Sequence, residues 1–176
     1  MEINHYINTL NFKYFETYSL LRGKKYDDYK NNILREIVSL KEKTKKPAFG
    51  WYQQNKTLHQ LELLLQNENL LNEDGSFHPS SEKITTITKG SLLHQNFLDI
   101  FQQKHYEIDF ARPCAPIFRD AIIFYDTNNT MLSILNICFE CGKIRLNNQN
   151  HTDIHFETYL KLRNFFILIG HKLEEE

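Results

Sequence analysis

The chain has 176 residues, with 21 Lys and Arg against 22 Asp and Glu and a formal charge of −1 when histidine is neutral. That length suits one domain, and at this size roughly 70% of the unfolded chain's surface can be buried. Apolar residues make up 41% and aromatics 13%, which excludes a disordered chain, while balanced charge argues against a dedicated nucleic-acid binder or a polybasic membrane anchor.

No apolar run approaches the roughly 20 residues of a membrane span. Met1 to Leu10 show no basic stretch leading into an apolar one, so no signal peptide is read and the chain is expected in the cytoplasm. Ile3, Ile7, Leu10, Tyr14, Thr17 and Leu21 alternate spacings of four and three, which predicts one helix stopping near Gly23. Tyr26, Tyr29, Ile33, Ile37 and Leu40 form a second stripe, so residues 1–46 read as a helical N-terminal segment. Its basic end, Lys41, Lys43, Lys45 and Lys46, complements the helix dipole and reads as a solvated terminus before Pro47. Trp51 and Tyr52 follow a Phe49-Gly50 break and read as packing anchors.

Leu58, Leu61, Leu64, Leu65 and Leu71 predict a third helix, ended by the turn signal Asn72-Glu73-Asp74-Gly75. Ile84-Thr85-Thr86-Ile87-Thr88 is β-branched and predicts a short strand. That order of elements is a winged helix's, but no basic recognition helix accompanies it, and a short capping hairpin fits better. Leu92, Leu93, Phe97, Ile100 and Phe101 predict a fourth helix after Gly90-Ser91.

Pro113 and Pro116 hold residues 112–118 out of helix. Ala121-Ile122-Ile123-Phe124-Tyr125 is apolar throughout, as in a central strand buried on both faces. Asp126-Thr127-Asn128-Asn129-Thr130 then reads as a hairpin turn, because Asn and Asp tolerate positive φ. Met131 to Cys138 is the return strand, with Lys143–Leu146 extending it beyond a kink at Gly142. A two-residue loop at Asn128-Asn129 pairs Thr127 with Thr130, so opposed residue numbers sum to 257, or about one away if the loop is bulged. Cys114 then falls beside Cys141, and Cys114, Cys138 and Cys141 meet at one end of the hairpin.

Three readings of that cluster are weighed. The first is small apolar residues buried at a strand end, the commonest fate of free cysteine. The second is a metal site, with zinc the candidate: Cys138 and Cys141 have knuckle spacing, His151 and His155 stand four apart, and Cys114 is a third or alternative ligand. The third is a Cys138–Cys141 redox dithiol, disfavoured because the pair ends a strand instead of opening a helix and because Glu140 lies between them. Thr152 or Asp153 is expected to cap the last helix, leaving both histidines on its exposed first turn. Phe156, Tyr159, Leu160, Leu162, Phe166, Ile167 and Ile169 give that helix a broad apolar stripe, expected to lie across one sheet face before Gly170 and His171.

Phe118-Arg119-Asp120-Ala121-Ile122-Ile123-Phe124-Tyr125-Asp126 followed by Leu135-Asn136-Ile137-Cys138-Phe139-Glu140-Cys141 resembles an uncharacterised bacterial family. That family carries the hairpin pattern Arg-Asp/His-Ala-Ile-Ile/Val-Phe-Tyr-Asp and Ile-Cys-Phe-x-Cys, with an upstream cysteine and a Phe-rich closing helix. The likeness spans roughly residues 84–170, departs at Asn129 and Asn136, and implies the hairpin but no activity.

The expected fold is α+β, a single domain over 1–176 in which helices pack around a small antiparallel sheet containing a 120–146 hairpin. No Gly-rich phosphate loop, Gly-x-Ser-x-Gly elbow or His-Glu-x-x-His occurs. The expected function is therefore a non-enzymatic binding or interaction module with a protein partner, neither nucleic acid nor membrane being expected. The alternative is a cysteine-based metal or thiol-redox protein using Cys114, Cys138 and Cys141, with His151 and His155 in the metal version.

Overall fold

Tyr14–Leu20 is a strand in the computed structural model, which describes residues 3–44, 50–66, 69–72, 74–101, 114–147 and 149–173. The first helix, α1, covers only Ile3–Thr9, so the long N-terminal helix expected from four-three spacing is corrected. Tyr14-Phe15-Glu16-Thr17-Tyr18-Ser19-Leu20 is aromatic and β-branched, and its alternate residues Phe15 and Thr17 are fully buried. A period of two and β-propensity override the few helical spacings that the segment also satisfies.

After β1 (Tyr14–Leu20) come α2 (Gly23–Thr44), α3 (Trp51–Gln66), β2 (Ser81–Thr88) and α4 (Leu92–Phe101). β3 (Asp120–Tyr125), β4 (Met131–Cys138), β5 (Lys143–Leu146), β6 (Thr152–Asp153) and α5 (Phe156–Leu168) complete the order. The strands form one six-stranded antiparallel sheet in the order β2-β1-β3-β4-β5-β6. The fold is α+β, as the sequence predicts, and no helix among the described residues is long and apolar enough to cross a membrane.

The predicted hairpin register holds. Pairs from Asp120↔Ile137 to Phe124↔Ser133 sum to 257, and a bulge at Phe124/Tyr125 moves the last pair to Tyr125↔Met131. Asn129 takes the positive φ of 61°, and Asp126 Oδ1 accepts the Asn128 and Thr130 N–H groups at 2.8 Å each. β5 does not prolong β4. The chain reverses before Gly142, whose φ is +65°, and β5 returns antiparallel beside β4 as a second hairpin.

Period-two alternation builds two unlike faces. On one, Phe15, Ile122, Phe124, Leu135, Ile137, Ile144 and Leu146 pack with Ile7, with Phe97 and Ile100 of α4, and with Leu162, Phe165 and Phe166 of α5. On the other, Tyr18, Leu20, Ala121, Ile123 and Ile134 pack with Leu70. Leu70 lies beyond α3, which starts at Trp51 and ends at Gln66 instead of running through Leu71. Trp51 and Tyr52 are 48% and 77% exposed, so they do not act as packing anchors. The α2 stripe holds at Ile33 and Ile37, both buried, and Lys41 pairs with Glu62 of α3 at 2.8 Å. Lys45, Lys46 and Pro113 lie outside the described residues.

His94, on the helix-covered face, accepts the Gly90 N–H through Nδ1 at 3.2 Å and packs edge-on against Phe12. Burial, with Lys89 nearby, lowers its pKa from the usual 6.5. The folded state thus favours neutral His94 more than the unfolded chain does. Its contribution to stability is complete above pH 6.5 and falls as pH drops toward the lowered folded value. His94→Gln is expected to flatten urea-midpoint-against-pH profiles below that point, and an unchanged slope would contradict the assignment.

Candidate functional site

The three cysteines do meet at the open end of the β3–β4 hairpin. Cys114, in the irregular lead-in to β3, is disulfide-bonded to Cys141 in the β4–β5 turn, with Cα atoms 6.0 Å apart. Cys138 is a free, buried thiol, and Cys138, Cys141 and Phe118 form a small apolar cluster. Cys138 and Cys141, the disfavoured dithiol, are not bonded to each other: Cys141 bonds across the chain to Cys114.

Cys114, Cys138, Cys141, His151 and His155 are not assembled into a ligand set. Among the described residues no group of three His, Cys, Asp or Glu is placed to hold a metal ion. Neither Thr152 nor Asp153 caps α5: both are drawn into β6 opposite Lys143 and Ile144, and His155 takes the N-cap position. Asp153 instead pairs with Lys143 at 2.9 Å. His151 is exposed. The apolar stripe of α5 divides: Leu162, Phe165 and Phe166 are buried, while Phe156, Leu160 and Ile167 are exposed.

A buried polar network that sequence reading missed lies at the other end of β1. α5 closes in a Schellman turn: the Gly170 N–H bonds the Ile167 carbonyl and the His171 N–H bonds the Phe166 carbonyl, with Gly170 at φ +104°. That turn folds His171 back over Phe166, their ring centroids 4.4 Å apart. His171 Nδ1 lies 2.9 Å from Asp120 Oδ1, and Nε2 lies 2.9 Å from Thr17 Oγ1. Arg22 pairs with the other carboxylate oxygen of Asp120 and donates to the Lys172 carbonyl. Hydroxyl, imidazole and carboxylate follow the order of a hydrolase triad. Thr17, however, is wholly buried inside the central strand β1, which leaves no room for a reacting group at its oxygen. The network ties β1, β3, the residue preceding α2 and the chain beyond α5 together.

A groove of about 1180 Å³ opens on the opposite face. α3 supplies one wall through His59, Leu61 and Leu64. Asn69, Leu71 and Asn72 supply another, and Ile134, Asn136 and Arg145 of β4 and β5 form the floor. The groove exists because α3 packs on α2 while the segment after α3 carries the contacts down to the sheet. There Leu70 packs with Tyr18, Ala121 and Ile134, Leu71 bridges Phe77, and the His78 ring meets the Leu64 carbonyl at 3.1 Å. Asn136 and Arg145 stand opposite each other in the β4–β5 register. Asn136 is buried and donates to the Arg145 carbonyl at 3.4 Å.

Arg145 lies with its guanidinium 4.4 Å from the Phe118 ring centroid, a cation–π arrangement. It donates to Asn69 Oδ1 at 2.6 Å, while its Nε is buried and has no acceptor among the described residues. Burial lowers its pKa below the ordinary guanidinium value, although the group stays charged. No sequence signal marks this groove, since its residues arrive from four separate segments. No protein-family model, curated protein or solved structure matches the chain.

Proposed function

We propose that the protein is a non-enzymatic binding module that takes its ligand in the groove between α3 and the β4–β5 face. The observation that carries this reading is the groove's make-up: leucine walls over a floor with a few polar groups, Asn136 and Arg145 among them. Apolar walls with sparse convergent polar groups are the usual make-up of small-ligand and peptide-side-chain sites. The near-zero net charge and the absence of a long apolar helix among the described residues support a ligand other than nucleic acid or bilayer. A side chain or terminus of a partner protein falls within this proposal, as does a cytoplasmic setting.

The test is a small-fragment screen read by ¹H–¹⁵N amide shifts. The expected result is a set of hits whose shifts concentrate on residues 57–64, 69–72, 74–75, 134–136 and 145. Hits that never perturb these residues would overturn the reading.

A second reading is favoured by one observation, the disulfide between Cys114 and Cys141 beside the free thiol of Cys138. In it the chain is a thiol–disulfide protein. The Cys138 thiolate attacks Cys141 Sγ, the Cys114–Cys141 bond breaks, and Cys114 leaves as thiolate with no net oxidation. In a cytoplasmic protein such a bond would be reversible and redox-sensing, not a permanent staple.

A further inference from the structure

We propose that the groove selects a ligand bearing one carboxylate, bound by Arg145, with an apolar body lying along the leucines of α3; this rests on the groove being the ligand site. The first support is the state of the guanidinium. It is partly desolvated, one buried N–H has no acceptor, and no carboxylate pairs with it among the described residues. A partly buried cation without a counter-charge is costly, and an incoming anion relieves that cost.

The second support is orientation. The Phe118 face under the guanidinium and the bond to Asn69 fix its plane, so its remaining N–H groups are held in a planar fork. A planar fork matches a carboxylate through two parallel charge-assisted hydrogen bonds. The third is charge balance. Arg145 is the one Lys or Arg among the described lining residues, so the groove neutralises one negative charge and not two. Asp74, also in the lining, is turned into its own loop, where Oδ1 accepts the Ser76 N–H and hydroxyl at 2.9 and 2.6 Å. Those bonds lower its pKa and keep it ionised, which further disfavours a dianion. Leu61, Leu63 and Leu64 supply the apolar surface for the ligand's body.

The experiment titrates ¹⁵N-labelled protein with octanoate, 1-octanol and octyl phosphate at pH 7. The expected result is saturable shifts at the groove with octanoate, about tenfold or more weaker with 1-octanol and weaker with octyl phosphate. Arg145→Lys, which keeps the charge but loses the fork, is expected to lose about tenfold in octanoate affinity. Arg145→Met keeps the stem over Phe118 and is expected to bind octanoate no better than octanol; its thermal midpoint shows that it is folded. Equal binding of octanol and octanoate, or tighter binding of octyl phosphate, would overturn the carboxylate preference while leaving the groove as a site. No groove shifts with any of the three, in folded protein, would overturn the proposal, and the fragment screen then decides separately whether the groove itself survives.

Discussion

Asp120→Ala is expected to destabilise the protein by about 3–5 kcal/mol, the usual cost of removing one partner of a buried ion pair. Asp120 has no exposed side-chain surface, and its two oxygens serve different partners, Arg22 and His171. Removing it leaves a guanidinium with only 10% of its side chain exposed and an imidazole with none. Both pack against the place where β1 pairs with β3, through Ser19↔Asp120 and Tyr18↔Ala121. For a chain of this size the loss corresponds to a fall in Tm on the order of 10 °C. Asp120→Asn should cost less, because an amide oxygen still accepts from one partner, but it leaves Arg22 without a counter-charge. Urea unfolding at pH 7 measures both. A cost below about 1 kcal/mol for Asp120→Ala would mean that the network does not hold these elements together.

The second large effect is expected at the disulfide. Cys114 and Cys141 are 27 residues apart, and closing a loop of that length restricts the unfolded chain by about 3.5 kcal/mol in the chain-entropy model. Cys114→Ser should lower stability by that order without touching the sheet, since Cys114 is exposed in the lead-in to β3. Cys141→Ser should cost at least as much, because Cys141 is also buried against Phe118 and Cys138. Reductant should bring the wild type down to the stability of Cys114→Ser and leave that variant unchanged. Equal stability of oxidised wild type and Cys114→Ser would show that the bond constrains nothing.

The part of the fold legible in the sequence is the part where local signals agree. Residues 121–125 are apolar without interruption, 126–130 are turn formers, and simple counting across the turn yields a register that five of the six pairs obey. The same counting brings Cys114 next to Cys141 across a proline-containing lead-in. β1 reads as helix because Ile3, Ile7, Leu10, Tyr14 and Thr17 also satisfy helical spacing, and what decides between helix and strand there is pairing with β2 and β3. The buried network is out of reach for a related reason. Thr17, Arg22, Asp120 and His171 are brought together only by β1–β3 pairing and the turn at Gly170. The groove is harder still to read, because it is a gap left where α3 packs on α2 instead of on the sheet, and a gap has no sequence pattern.

The most direct test of the binding account is the set of intermolecular nuclear Overhauser effects from the tightest groove-perturbing fragment to assigned methyl groups. Binding in the groove is expected to give effects to Ile134, Leu61 and Leu64, which line it. Effects confined to Leu160 and Ile167, the exposed apolar residues of α5, would place binding on another surface and contradict it.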